Sequence, residues 1–159
     1  MIRPTLSVRT FLLSACLAVC LAAAGCASAP ATPGTPRSNS LYVRLGGYDA
    51  IAALVDNFIA RMGKDTITAP FFAGLTPLEG NRIRQGIIDQ LCQASGGPCI
   101  YTGPSMKEAH KDLGITPAVW QAEVGEMNAA MDHYHIGRDE RNEVLAIIRT
   151  LEPEIVTKP

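Results

Sequence analysis

Histidine is the side chain whose unperturbed charge changes near neutral pH, and the sequence holds three of them. One is set apart by its surroundings. His110 closes the run Gly96-Gly97-Pro98-Cys99-Ile100-Tyr101-Thr102-Gly103-Pro104-Ser105-Met106-Lys107-Glu108-Ala109-His110. Glycine and proline forbid a persistent helix over the first half of that run, so the imidazole is delivered by a loop onto the first turns of a short helix. Met106 falls one turn earlier on the same face. A neutral imidazole so placed has the geometry of an axial ligand to a flat apolar cofactor. A surface or core histidine is the bland alternative, and residue type alone does not separate the two.

The remaining reactive side chains build no second site. His133 and His135 are two apart on a helix and point in different directions; near a helix carboxy terminus both read as solvated groups. Glu123, Glu126, Asp132, Asp139, Glu140 and Glu143 read as exposed helix faces rather than a paired-carboxylate site. There is no Ser/His/Asp set, phosphate loop or H-E-x-x-H motif. Cys92 and Cys99 flank the Gly96-Gly97 break and can pair in an oxidising compartment, although their spacing does not fix the Cα separation. Neither belongs to a C-x-x-C-H run, and with His133 and His135 they lack zinc-finger spacing.

The amino terminus reads as an address rather than as part of the fold. Met1-Ile2-Arg3 with Arg9 is a positive n-region, and Phe11 to Ala24 is an apolar run of secretory length, short of the roughly 20 residues a membrane span needs. It ends at Ala23-Ala24-Gly25-Cys26, which looks like a bacterial lipoprotein signal with Cys26 as the lipidated residue; a plain secretory signal cut near Ala24 or Ala27 is the alternative. Residues 1–25 are therefore expected to be the signal, and residues 26–39, rich in Ala, Ser and Pro, an extended tether. The expected location is the periplasm-facing envelope with a lipid anchor in a membrane, the outer more than the inner, because Ala27 gives no inner-membrane retention signal. Residues 40–159 make one domain of a size that folds on a single core. A net charge of −1 without a basic cluster argues against nucleic acid as a partner.

Within that domain the periodicity is helical. Leu41 to Leu45 is a short turn closed by Gly46-Gly47. Ile51, Leu54, Val55, Phe58, Ile59 and Met62 recur at helical spacing up to Gly63, and Thr68-Ala69-Pro70-Phe71-Phe72 makes a corner with one phenylalanine expected inward and the other outside. Pro77 opens a helix to about Ser95 with Ile83, Ile87, Leu91 and Ala94 as its inner stripe and Ile88 beside it. A short helix spans Ser105 to about Leu113. Thr116 then caps a helix whose inner face is Trp120, Val124, Met127, Met131 and Tyr134. After Gly137, Val144, Ile147, Ile148 and Leu151 repeat the pattern until Pro153. No alternating strand pattern appears, so the fold class is all-α, with four substantial amphipathic helices.

Taken together, Leu41-Tyr42-x-Arg44-Leu45-Gly46-Gly47, Phe71-Phe72, Gly96-Gly97-Pro98, Tyr101-Thr102-Gly103 and Met106-Lys107-x-Ala109-His110 resemble the group 1 truncated haemoglobins, in order and in spacing, over about Leu41 to Val156. The resemblance implies that family's truncated globin fold, a two-over-two helical sandwich around non-covalent haem b (iron protoporphyrin IX). By position His110 resembles the proximal iron ligand, Phe72 the corner aromatic that packs on the porphyrin, and Phe58 a core residue beside the pocket. Tyr101 and Lys107 match positions near the haem propionates, and Met106, Ile115 and Trp120 would line the proximal side. The distal set departs from the family pattern: Ile59 stands where many members have tyrosine, and Ile83 and Ile87 where a polar residue, often glutamine, can occur. Gln90 is then the obvious donor near the inner face.

The resemblance implies reversible binding of oxygen or another diatomic gas, NO or CO, for transport, storage or sensing. An enzyme of NO dioxygenation or related nitrogen-oxide or peroxide chemistry, with an unknown redox partner, is the second reading. A haem-free structural lipoprotein is the third. A donor-poor distal side favours the first, since catalysis needs oxygen to persist at the haem.

Overall fold

The computed structural model describes residues 39–158, and the expected signal, Cys26 and all but the last residue of the expected tether lie outside the described residues. Seven helices follow in order: α1 (Leu41–Arg44), α2 (Tyr48–Met62), α3 (Pro77–Ala94), α4 (Met106–His110), α5 (Pro117–His133), α6 (Arg138–Arg149) and α7 (Glu152–Ile155), with a 3₁₀ turn at Ala69–Phe72 before α3. Among the described residues there is no strand.

α2 is the centre. It packs against both α3 and α5, while α6 joins α5 and α1, and α4 joins α7. Ile51, Leu54, Val55, Phe58 and Met62 of α2 are buried with Ile88, Leu91 and Cys92 of α3, Met127, Ala130 and Met131 of α5, and Val144 and Leu145 of α6. Burial of each Val, Leu, Ile, Phe or Met among them contributes about 1.5–3 kcal/mol against its entropy of ordering. A second cluster gathers Ile115, Trp120 and Ile155, with Met106, Val119 and Leu151 against it.

The helix ends follow from local chemistry. Thr76 and Glu79 form a reciprocal capping box with Pro77 in the first turn of α3, and Ser105 and Glu108 form another on α4. At the far end of α3, Gly96 takes φ 85°. Its N–H donates to the Gln93 carbonyl at 3.1 Å and that of Gly97 to Cys92 at 2.8 Å, which is the Schellman pattern. A Cβ on Gly97 would stand 2.5 Å from the Tyr42 ring and 2.7 Å from Cys92 Sγ, so no larger residue fits. Cys92 and Cys99 are joined, with Cα atoms 5.7 Å apart, which settles the pairing that their spacing left open.

Four expectations are corrected. The inner stripe of α3 keeps Leu91 but is completed by Ile88 and Cys92; Ala94 is exposed, Ile83 faces a cavity, and Ile87 lies on the cavity wall and against the core at once. Tyr134 is exposed, because α5 ends at His133 and the chain leaves the helical path before the stripe reaches it. Pro153 does not end helical structure but sits in the first turn of α7, where a missing N–H costs nothing. α4 is shorter than expected and stops at His110.

Candidate functional site

Between α2, α3, α5, α6 and the connector from Gly96 to Ser105 lies a cavity of about 410 Å³, within the range of small-molecule and cofactor sites. Its walls are overwhelmingly apolar. α2 supplies Phe58 and Met62, α3 supplies Ile83, Ile87 and Gln90, α5 supplies Trp120, Val124 and Met127, and α6 supplies Ile147 and Ile148. Ile83 is 37% exposed and Leu113 44%, although both lie on this wall. These are apolar faces that a flat apolar guest would cover.

His110 reaches the same wall from the last residue of α4. The Ser105–Glu108 box fixes the start of that helix: Ser105 Oγ accepts from the Glu108 N–H at 3.2 Å, and the Glu108 carboxylate accepts from the Ser105 N–H at 3.1 Å. The Ser105 hydroxyl also donates to that carboxylate at 2.9 Å, and this bond first, with the one from the Ser105 N–H, holds the Glu108 carboxyl below its ordinary pKa. The back of α4 is tied to α7, where Glu154 accepts from the Lys107 N–H at 3.3 Å. Thr157 and Lys158 both donate to the Ile115 carbonyl at 3.0 Å, closing the carboxy-terminal segment over the same region.

The imidazole is oriented by its own helix. Nδ1 lies 2.8 Å from the Met106 carbonyl, and a carbonyl only accepts, so Nδ1 carries a proton, which in the neutral ring leaves the lone pair on Nε2. This is how a metal-binding histidine is commonly prepared, with the second nitrogen fixing tautomer and ring direction. The residues present therefore fit a haem: one preset imidazole, apolar walls, and Arg82 exposed on the α3 wall as a partner for carboxylates.

Of the residues singled out from sequence, Phe58, Phe72, Ile83, Ile87, Gln90, Tyr101, Met106, His110, Ile115 and Trp120 line this one cavity. Two do not. Ile59, expected in the distal pocket, is half-buried against the main core, because α2 turns Phe58 and Met62 to the cavity and Ile59 aside. Lys107, expected beside the propionates, is exposed and off the wall. Tyr101 is on the wall, but its hydroxyl donates to the Pro104 carbonyl at 2.6 Å, and burial raises its pKa. The corner is also different: Phe71 lines the cavity beside Phe72.

Two ionisable wall residues were missed. Arg82 sits one position before Ile83, and a charged residue in the first turns of an amphipathic helix reads as solvated. Glu123, read as an exposed face, is half-buried on the wall. Loss of water contact pushes its carboxyl up to about 7. The legible signal was its spacing, three after Trp120 and four before Met127, at the edge of the inner stripe.

Among the described residues no group of three or more His, Cys, Asp or Glu is assembled for a bare metal ion, and no helix is long and apolar enough to cross a membrane. Comparison with known proteins agrees with the geometry. The family model for bacterial-like globins matches residues 40–157. The group 1 truncated haemoglobin GlbN of Mycolicibacterium paratuberculosis is 33% identical over 118 residues, covering 74% of this chain and 85% of that protein. Among solved structures, the 2/2 haemoglobin of a Synechococcus species, in the cyanomet state with covalently attached haem, is 25% identical with a TM-score of 0.69, covering 75% of this chain and 99% of its own. The truncated haemoglobin of Tetrahymena pyriformis, at 24% identity and a TM-score of 0.70 for one of its mutants, shares the fold over the same portions. With its preset imidazole, its apolar slot and these relatives, the chain belongs to the bacterial-like globins, as a group 1 truncated haemoglobin whose cofactor is haem b and whose ligands are diatomic gases.

Proposed function

We propose that this protein binds oxygen reversibly and lets it go quickly, at a haem held through His110 Nε2, while tethered in the bacterial envelope through lipid on Cys26. The observation that carries the binding site is the Nδ1 bond from His110 to the Met106 carbonyl at the wall of an apolar cavity. When bound, haem would supply the iron that takes the gas. The chain's own residues do the rest. His110 would hold the iron with Nδ1 tied to Met106, Phe58, Phe72, Ile83 and Ile87 would exclude water, and Arg82 would offer a cation to the propionates.

Fast release follows from the shortage of donors. Oxygen at a ferrous haem gathers partial negative charge, and each hydrogen bond to it is worth about 1–3 kcal/mol. Among the described residues Gln90 is the one side-chain amide on the wall, and isoleucine occupies positions 83 and 87. Stopped-flow measurement should give oxygen dissociation faster than in tyrosine-bearing relatives, with carbon monoxide bound well. Slow oxygen loss would mean that Gln90, or water held by it, reaches the ligand. Sustained nitrate production from nitric oxide with a reductant would favour the dioxygenase reading over simple binding. Lipid attachment is tested by globomycin, which should block maturation of the native precursor and leave a Cys26→Ser precursor indifferent.

A further inference from the structure

Glu123 is the one acidic residue on the cavity wall among the described residues, and gas binding as described gives it no task. It stands on α5 one turn after Trp120, which packs with Ile115 and Met106, and one turn before Met127 in the main core. The carboxyl is thus set between the two apolar clusters. Its pKa of about 7 has desolvation as its cause, with no cation or hydrogen-bond donor drawing it back down. The other elements do not change that picture. α3 brings Arg82 and Gln90 to the cavity, the connector brings Tyr101 and α4 brings His110, while α2, α6 and α7 contribute apolar side chains. Tyr101 is committed to Pro104, His110 Nδ1 to Met106, and Arg82 is exposed to solvent.

An unpaired carboxylate in an apolar cavity is costly unless positive charge arrives beside it. The core of a ferrous haem is neutral and that of a ferric haem carries net positive charge. We propose that Glu123 is the proton-exchanging group of the haem cavity, giving up its proton as an electron leaves the iron and taking it back when the electron returns. This rests on the haem-binding reading. In the oxidising direction the electron passes to a one-electron acceptor, the Glu123 O–H bond breaks, and the proton goes to solvent water through the cavity mouth. The net charge inside the cavity is the same before and after. Linkage makes the coupling reciprocal: acid pH, with the proton in place, holds the iron ferrous and ready for oxygen, and alkaline pH favours the ferric state.

The test is a spectroelectrochemical titration of the haem-loaded full chain with one-electron mediators, read as the ferric-to-ferrous ratio at fixed potential between about pH 5.5 and 8.5. In the native protein the ratio should rise with pH, approaching about tenfold per pH unit near neutrality. Glu123→Gln should flatten that rise while keeping the native Soret maximum, and Glu123→Asp should restore part of it. Redox-difference infrared spectra of the native protein give a reading independent of any variant: oxidation should bleach a protonated-carboxyl C=O band. A loaded protein whose ratio ignores pH, a Glu123→Gln protein that keeps the native rise, or the absence of that infrared band overturns the inference and leaves haem binding standing. A native protein that takes no haem shows no Soret band at all, and then both readings fall.

Discussion

His110 and Glu123 are the two ionisable groups whose positions matter most, and they were unequally legible. His110 could be found because glycine and proline on one side and a short helical pattern on the other leave an imidazole at a fixed place. Which acceptor would hold its Nδ1 was not legible, since the Met106 carbonyl becomes its partner only once α4 has formed. Glu123 shares its helix with exposed charges, and its type outweighed its spacing; burial is decided by packing between elements far apart in sequence, such as α2 against α5. The same long-range packing turns Ile59 off the wall. Glu123 also has a consequence for stability. Its folded pKa of about 7 lies above the ordinary 4.5, so the folded chain holds a proton that the unfolded chain has lost between those values. Stability should therefore fall as pH rises from about 4.5 to 7 and level off above, as the carboxyl is ionised in both states. Glu123→Gln should remove that decline and be more stable by about 1–3 kcal/mol at pH 8, measured by urea unfolding. Equal pH dependence in the two proteins would show that the carboxyl is solvated.

At the scale of elements, the connector between α3 and α4 carries the argument. Its beginning is fixed by the Schellman turn and by the bond between Cys92, fully buried, and Cys99. Its middle is held where Gln93 Oε1 accepts from the Tyr101 N–H at 2.6 Å. Its end is the Ser105 cap. Replacing both cysteines with alanine should cost about 2 kcal/mol by denaturant titration and speed haem loss, because the loop that carries Tyr101 is freed from α3. Unchanged stability would place the bridge outside the folded unit. Ser105→Ala should cost about 1 kcal/mol and loosen the base of α4, read as faster transfer of haem to an acceptor apoprotein. Punctuation made this connector readable. α7 was not, because Pro153 looks like a terminator from sequence, and only the tie from Glu154 to α4 gives its short helix a reason to form.

On the scale of the molecule, the all-α reading and the order of the long helices followed from periodicity that each helix carries within itself. The cavity did not. Ile83 and Ile87 repeat at core spacing, and nothing local distinguishes a wall from a core; the family resemblance supplied the guest that separates them. Arg44 of α1 reaches Glu140 at 3.1 Å and also pairs with Glu143, both on α6, an exposed link that brings the two ends of the domain together and is worth little in energy. The central claim concerns how haem is held, and one spectrum tests it. Purified native protein should show a Soret band; His110→Gly should lose the native band, and added imidazole should bring it back by filling the place of the missing side chain. An unaltered Soret band in His110→Gly, or none in haem-supplied native protein, would contradict the account.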